Sequence, residues 1–356
     1  MPVPLKSEGL SSIQVIRCFA CLLVVLHHAI RLFTVNAADG WSKPGLLDAP
    51  WFYERLAVGV DIFFVLSGFI MTYVATPYFE KRKPLSAFLK RRAIRIYPAY
   101  WVMTACLLVL LAAASISRGS ISYDLQPTRV FASLILFPSF DKNMVLQPIL
   151  GVGWTLSYEI YFYFLFAFTV ALFRYNFLFP LSFAIISLII FGQFLPEPMA
   201  IAAFLRNPIA IEFLFGCALA KLYSDDLLTK YRSMLMGVTL IAIIPSLFID
   251  MNENIRFILW GLPSSLFVAC ILSFEKVASW PRGLILIGDA SYSIYLVHVP
   301  FLYFPVVKII EIARLAHMNS SAADGLVIAA FAVAVTVGIM FYFIVERSLN
   351  SILRRF

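Results

Sequence analysis

Long apolar runs separated by short polar stretches set the pattern of this chain. They lie near 13–34, 57–76, 97–116, 152–173, 177–195, 205–222, 233–250, 255–274, 284–310 and 324–346. A helix rises 1.5 Å per residue and the hydrocarbon core of a bilayer is about 30 Å thick, so about 20 apolar residues are enough to cross it. The pattern therefore predicts an all-α fold, a polytopic transmembrane helix bundle of about ten spans. A shorter run, 129–139, is followed by Asp141, Lys142 and Pro148 and reads as a re-entrant or interfacial segment.

The polar stretches then orient the spans, because cytoplasmic loops carry an excess of lysine and arginine. Lys81, Arg82, Lys83, Lys90, Arg91, Arg92 and Arg95 cluster between the second and third runs. Lys221, Lys230 and Arg232 follow the sixth, Lys276 and Arg282 the eighth, and Arg347, Arg354 and Arg355 the tenth. All of these fall on the cytoplasmic side if both termini are inside and there are ten crossings. The loops around 35–56, 196–204, 251–254 and 311–323 carry few cations. Counting 129–139 as a crossing breaks this agreement for everything after it. Asn36-Ala37-Ala38 resembles a signal-cleavage site, but the first run is long and holds Arg17, His27 and His28, so it reads as a resident span.

Composition sharpens the picture. Of 356 residues, 62% are hydrophobic and 13% charged, whereas a soluble domain is about half apolar and a quarter charged. The length would otherwise suggest two soluble domains; here it suits a single integral-membrane domain, 1–356, with short loops. The net charge of +8 sits on the inner loops, which points to membrane lipid rather than nucleic acid. The five cysteines, Cys18, Cys21, Cys106, Cys217 and Cys270, fall inside apolar runs without disulfide or zinc spacing, so no metal is expected.

Ionisable residues inside a membrane are costly, which makes them candidates for function. Arg17 and His28 are eleven apart, three turns plus about 20°, so they share a helix face about 16 Å apart, with Arg17 toward the cytoplasm. His27 is rotated about 100° from His28. Asp61, at the start of the second run, is expected at a depth similar to His28, where a carboxylate can support an imidazole acting as a general base. Ser67-Gly68 offers close backbone approach between helices or to a ligand. Arg92 and Arg95 share a face before Tyr97-Pro98, and guanidinium forks suit phosphates. Trp154, Glu159 and Tyr163 open the fourth run, with Glu159 and Tyr163 at i,i+4 and Glu159 expected beside the depth of His28. His298 lies in the ninth run, deeper than Asp289. Each has a plainer reading: a snorkelling arginine, histidines satisfied in the core, an acid at a helix start, an aromatic belt, a packing hydrogen bond.

Five blocks in order carry a resemblance over essentially the whole chain: Arg17 and His28 with ten residues between them, VGVDIFFVLSGFIM from Val58, Arg92-Ala93-Ile94-Arg95, Trp154 to Glu159 with Tyr163 behind, and Gly288 to His298. The ending Val345-Glu346-Arg347 is similar too, with Ser348 where proline is usual. On these the chain resembles the acyltransferase-3 family of bacterial membrane O-acyltransferases, and SIQVIRCFACLLVVLHH looks most like members that acetylate succinoglycan-type exopolysaccharides. The resemblance implies a multi-pass enzyme of the bacterial inner membrane that moves an acetyl, or other short acyl, group from acyl-CoA to a hydroxyl of an exported polysaccharide or lipid-linked oligosaccharide. It makes acetyl-CoA the donor, with Arg17, Arg92, Arg95 and Ser67 as donor-binding residues. His28, Asp61 and Glu159 become the catalytic candidates, and Trp154, Tyr163 and His298 the acceptor side. The alternative is a proton-coupled transporter of a glycan or anion using the same histidine and carboxylates. Against it stands the lack of inverted repeats or paired Gly/Pro-broken helices. A non-catalytic partner in a glycan-synthesis complex is the third class.

Overall fold

The computed structural model describes residues 10–36, 40–47, 49–80, 84–249, 252–312, 315 and 319–353. Lys81, Arg82, Lys83, Arg354, Arg355 and the Ala37-Ala38 pair, used above for orientation and processing, lie outside the described residues. Regular structure among the described residues is helical, with one isolated antiparallel bridge between Phe140 and Leu146.

Each apolar run coincides with a helix: α1 Ser11–Asn36, α2 Trp51–Tyr73, α3 Leu85–Ser117, α4 Gly151–Asn176, α5 Leu178–Phe194, α6 Pro208–Ser224, α7 Arg232–Ser246, α8 Phe257–Leu272, α9 Ser291–Ile312 and α10 Ser320–Leu353. Six of these, α1 to α4, α9 and α10, are long and apolar enough to cross a membrane. Helix α6 makes a seventh when joined to the short helix Ala200–Arg206 before it. Helices α5, α7 and α8 have 17 residues or fewer, about 25 Å at most, so they fall short of the hydrocarbon thickness that ten full spans require. The run at 129–139 forms an eight-residue helix, Pro127–Leu134, about 12 Å long and too short to cross.

The chain divides into two compact units. The first comprises 1–76, 208–291 and 305–335. Its centre is the crossing of α2 and α6, where glycines remove the side chains that would hold two backbones apart. A Cβ on Gly216 would lie 1.9 Å from the Val65 carbonyl oxygen, and one on Gly68 2.0 Å from that of Phe213. Ile16, Ala20, Val65, Phe69, Leu219 and Val268 close the core around it. The first amides of α1 have no carbonyl partners within the helix, and Glu275 supplies them: it accepts from Ser11 N at 3.0 Å and Ser12 N at 2.7 Å.

The second unit comprises 77–207, 292–304 and 336–356. Helix α3 carries the segment that follows it. Tyr100 Oη donates to the Ser133 carbonyl at 2.8 Å, Trp101 Nε1 to Leu134 at 2.9 Å and Tyr97 Oη to Ile135 at 3.3 Å, capping the end of helix Pro127–Leu134. Arg129, buried in that helix, pairs with Asp124 at 3.3 Å. Helices α4 and α5 turn Phe164, Phe168, Phe179 and Phe183 outward, an apolar surface that suits lipid and would be a liability in water.

Candidate functional site

In the first unit the chemistry collects along the α1/α2 interface. Gly59 lies against α1, where its Cβ would stand 2.3 Å from the Ala20 carbonyl oxygen and 2.8 Å from Val24. Further along the antiparallel pair, His27 Nδ1 meets the Tyr53 carbonyl oxygen at 2.8 Å. A carbonyl only accepts, so Nδ1 carries the proton and Nε2 is left as the basic nitrogen of neutral His27. The His28 ring is half-buried, its centroid 5.1 Å from that of His27.

This register corrects the expected depth of Asp61. Lying two residues beyond Gly59, it is eight residues, roughly 12 Å of helix, past Tyr53, and so alongside the Ala20 turn rather than level with His28. Asp61 is fully buried and its two oxygens are taken by Arg256, from Nε at 3.0 Å and Nη2 at 2.9 Å. Arg256 also faces Glu253 at 3.5 Å and lies 5.0 Å over the Trp260 ring. A second fully buried carboxylate, Glu212, packs at Gly261 within electrostatic range of Asp61 and Arg256. Arg256 and Glu212 escaped the sequence reading, although a lone charge in or at the edge of an apolar run is the signal that finds such groups.

Arg17 is half-buried near the start of α1, within electrostatic range of Asp289. The helix Arg282–Asp289 reaches α1 by backbone contact, a Cβ on Gly288 being 2.0 Å from the Gln14 carbonyl oxygen. Ser67 is half-buried beside Gly68, whose backbone approach is to α6.

In the second unit a separate cluster joins α3 to α4. Arg92 lies 5.6 Å over the Phe88 ring and within electrostatic range of Tyr163, Arg95 and Glu159. The Tyr163 hydroxyl donates to the Glu159 carboxylate. Phe88 stacks on Phe166 with centroids 5.6 Å apart, while Gly153 abuts Tyr100. The antiparallel register therefore sets Glu159 level with Arg92 and Arg95. The sequence expectation placed Glu159 with the histidine and the arginines apart from it; in the structure Glu159 belongs to the arginine cluster.

The late block adds to this unit. Tyr292 Oη donates to the Ile96 carbonyl at 2.6 Å, one residue past Arg95, and Ser293 hydrogen-bonds Glu346. His298 is fully buried, with Nδ1 3.2 Å from the Ile294 carbonyl oxygen of its own helix and its ring 5.6 Å from Tyr295. Trp154 is half-buried, edge-on to Tyr158 at 6.0 Å, in a small cleft whose lining includes Pro138, Gln147, Ser157 and Phe204.

Comparisons with known proteins follow the same lines. The acyltransferase domain family matches residues 10–345. The exopolysaccharide production protein ExoZ of Rhizobium meliloti (strain 1021) is 29% identical over 308 residues, covering 82% of this chain and 89% of that protein. The O-acetyltransferase OatA of Staphylococcus aureus (strain NCTC 8325 / PS 47) is 25% identical over 326 residues, 81% of this chain and 50% of that protein. Nodulation protein 10 of Rhizobium leguminosarum bv. viciae is 29% identical over 167 residues, 43% of this chain and 42% of that protein. No solved structure matches the chain.

Proposed function

Since the chain belongs to the acyltransferase-3 family of membrane O-acyltransferases, we propose that it transfers an acetyl, or other short acyl, group from acyl-CoA to a hydroxyl of an exported or lipid-linked polysaccharide. The relatives named for exopolysaccharide production and O-acetylation support the acceptor and the group transferred. The observation that carries the donor is the arginine cluster of α3. Arg92 and Arg95 lie on one face of one helix, and paired guanidinium groups suit the phosphates of coenzyme A. Arg17 at the start of α1 is a third donor contact, and Ser67 a fourth.

His28 is the base of this reaction. It removes the proton from the acceptor hydroxyl as the oxygen attacks the thioester carbonyl; the new ester C–O bond forms, the C–S bond breaks, and the departing thiolate takes up the proton. Asp61 supports the α1 imidazoles at a distance, from the helix packed on α1, and Glu159 sets the charge of the arginine cluster. Trp154 offers half-buried aromatic surface to the acceptor, and the buried Tyr163 and His298 complete the acceptor side. The enzyme works in the bacterial inner membrane, with acyl-CoA entering from the cytoplasm.

Deleting the chromosomal copy of this sequence and measuring O-acetyl esters on the cell's exported polysaccharide tests the proposal. Loss of the acetyl signal by NMR, restored by the wild-type sequence but not by His28→Ala, is the expected result. An unchanged polysaccharide in the deletion strain would contradict it.

A further inference from the structure

Arg256 is held on every side. Nε and Nη2 serve Asp61, Nη1 faces Glu253, and the guanidinium plane lies over Trp260. A guanidinium so occupied, and only 6% exposed, cannot turn to a ligand without giving up the pair it makes. Its partner Asp61 sits on α2, two residues from Gly59, whose lack of a side chain lets α2 rest directly on the Ala20 turn of α1. No slack remains at that point, so the place of Asp61 fixes the register of α2 along α1. The same helix starts near Tyr53, whose carbonyl oxygen accepts a hydrogen bond from His27 Nδ1, and the His27 ring centroid lies 5.1 Å from that of His28.

We infer that Arg256 is a positioning residue for the α1 histidines, acting through Asp61 and the register of α2. The inference rests on the acyl-transfer reading above, in which His28 is the base. Arg256 is paired with buried Asp61 and is within electrostatic range of a second buried carboxylate, Glu212, and of His27. Removing it alone leaves buried negative charge without a counter-ion, whereas removing Asp61 as well relieves part of that. The two substitutions should therefore be strongly non-additive.

The test compares purified wild type with Arg256→Gln, Asp61→Asn and the double variant at matched folded amounts. Each single variant is expected to lower kcat at least tenfold while KM for acetyl-CoA stays within twofold, and the double variant to be no worse than the poorer single. The side-chain 15N signal of His27 should move in Arg256→Gln. If Arg256→Gln does not fold, the double variant, lacking both charges, is compared with Asp61→Asn alone, and equal kcat values are expected. Wild-type kcat in Arg256→Gln, a multiplicative loss in the double variant, or an unmoved His27 signal each overturn the inference. Should the wild type transfer no acetyl group at all, the reaction assigned above falls, and the His27 signal still decides whether Arg256 positions that ring.

Discussion

At the scale of single residues, the two adjacent histidines of α1 have different work. His27 is tied by Nδ1 to the Tyr53 carbonyl, and its exposure is 9%, while His28 is half-buried. A positioned base contributes about 10²–10⁴-fold, so His28→Ala should lower turnover by that order and leave acyl-CoA affinity nearly unchanged. His27→Ala should cost less, through the loss of one hydrogen bond and of the neighbouring ring. Turnover of the two variants at equal membrane expression checks this, and the reverse order would remove His28 as the base. Arg95→Ala should weaken acyl-CoA binding while the protein still inserts, and Arg95→Lys should restore little, because an ammonium cannot replace a guanidinium fork; equilibrium binding of acetyl-CoA is the check. The residues themselves were legible as charges in apolar runs, but two of their depths were not. Asp61 does open the α-helical part of α2, Gly59–Tyr73, but the 3-10 turn Glu54–Val58 separates it from Tyr53, the residue that meets His27, so its depth falls short of His28. Helix α3 begins at Leu85, which brings Arg92 and Arg95 within the helix and level with Glu159. Hydropathy marks where lipid begins, and a helix need not begin there.

At the scale of elements, the α2/α6 crossing depends on glycine. Gly216→Leu would drive a side chain into the Val65 carbonyl, whose oxygen already lies 1.9 Å from an ideal Cβ, and the helices must part. Overpacking of this kind costs roughly 1–3 kcal/mol or more. A lower thermal midpoint in detergent, with Gly237→Leu as the control because a Cβ there meets nothing within 4 Å, is the expected outcome. Of the two close approaches that Ser67-Gly68 allows, to a helix or to a ligand, Gly68 serves the helix. The segment after α3 obeys a different rule. Partial burial pushes the Asp141 carboxyl up, but hydrogen bonds from Val145 N, the Gln147 amide and Asn143 N, with Arg129 nearby, hold it below the ordinary carboxylate range. A depressed carboxyl stabilises the turn above its unfolded value of about 3.9 and ceases to as pH falls through the lowered value. Protection of the 141–147 turn against proteolysis should therefore hold at neutral pH, fall on strong acidification, and be lost at neutral pH in Asp141→Ala. An acid-independent turn would contradict this. None of that network was readable beforehand, since it depends on which backbone amides converge.

At the scale of the whole molecule, the membrane class was legible from composition and the helical class of the described residues from the length of the apolar runs. The number of crossings was less so: α5, α7 and α8 are apolar enough to look like spans and shorter than full ones. Ten crossings with both termini inside remains the topology we propose, since the loop cations alternate with it. In a cysteine-free background, cysteines at Ser120 and Ser320 should then be labelled from outside and one at Ser224 from inside; cytoplasmic labelling at Ser320 would contradict that order. The central claim, that this chain moves an acyl group from coenzyme A to a glycan hydroxyl, is tested most directly with the purified protein, [14C]acetyl-CoA and an unacetylated exopolysaccharide oligosaccharide. Labelled ester should form on the glycan in one-to-one proportion with free coenzyme A thiol, and His28→Ala should form at least a hundredfold less. Release of thiol without labelled glycan, or equal transfer by His28→Ala, would contradict the account.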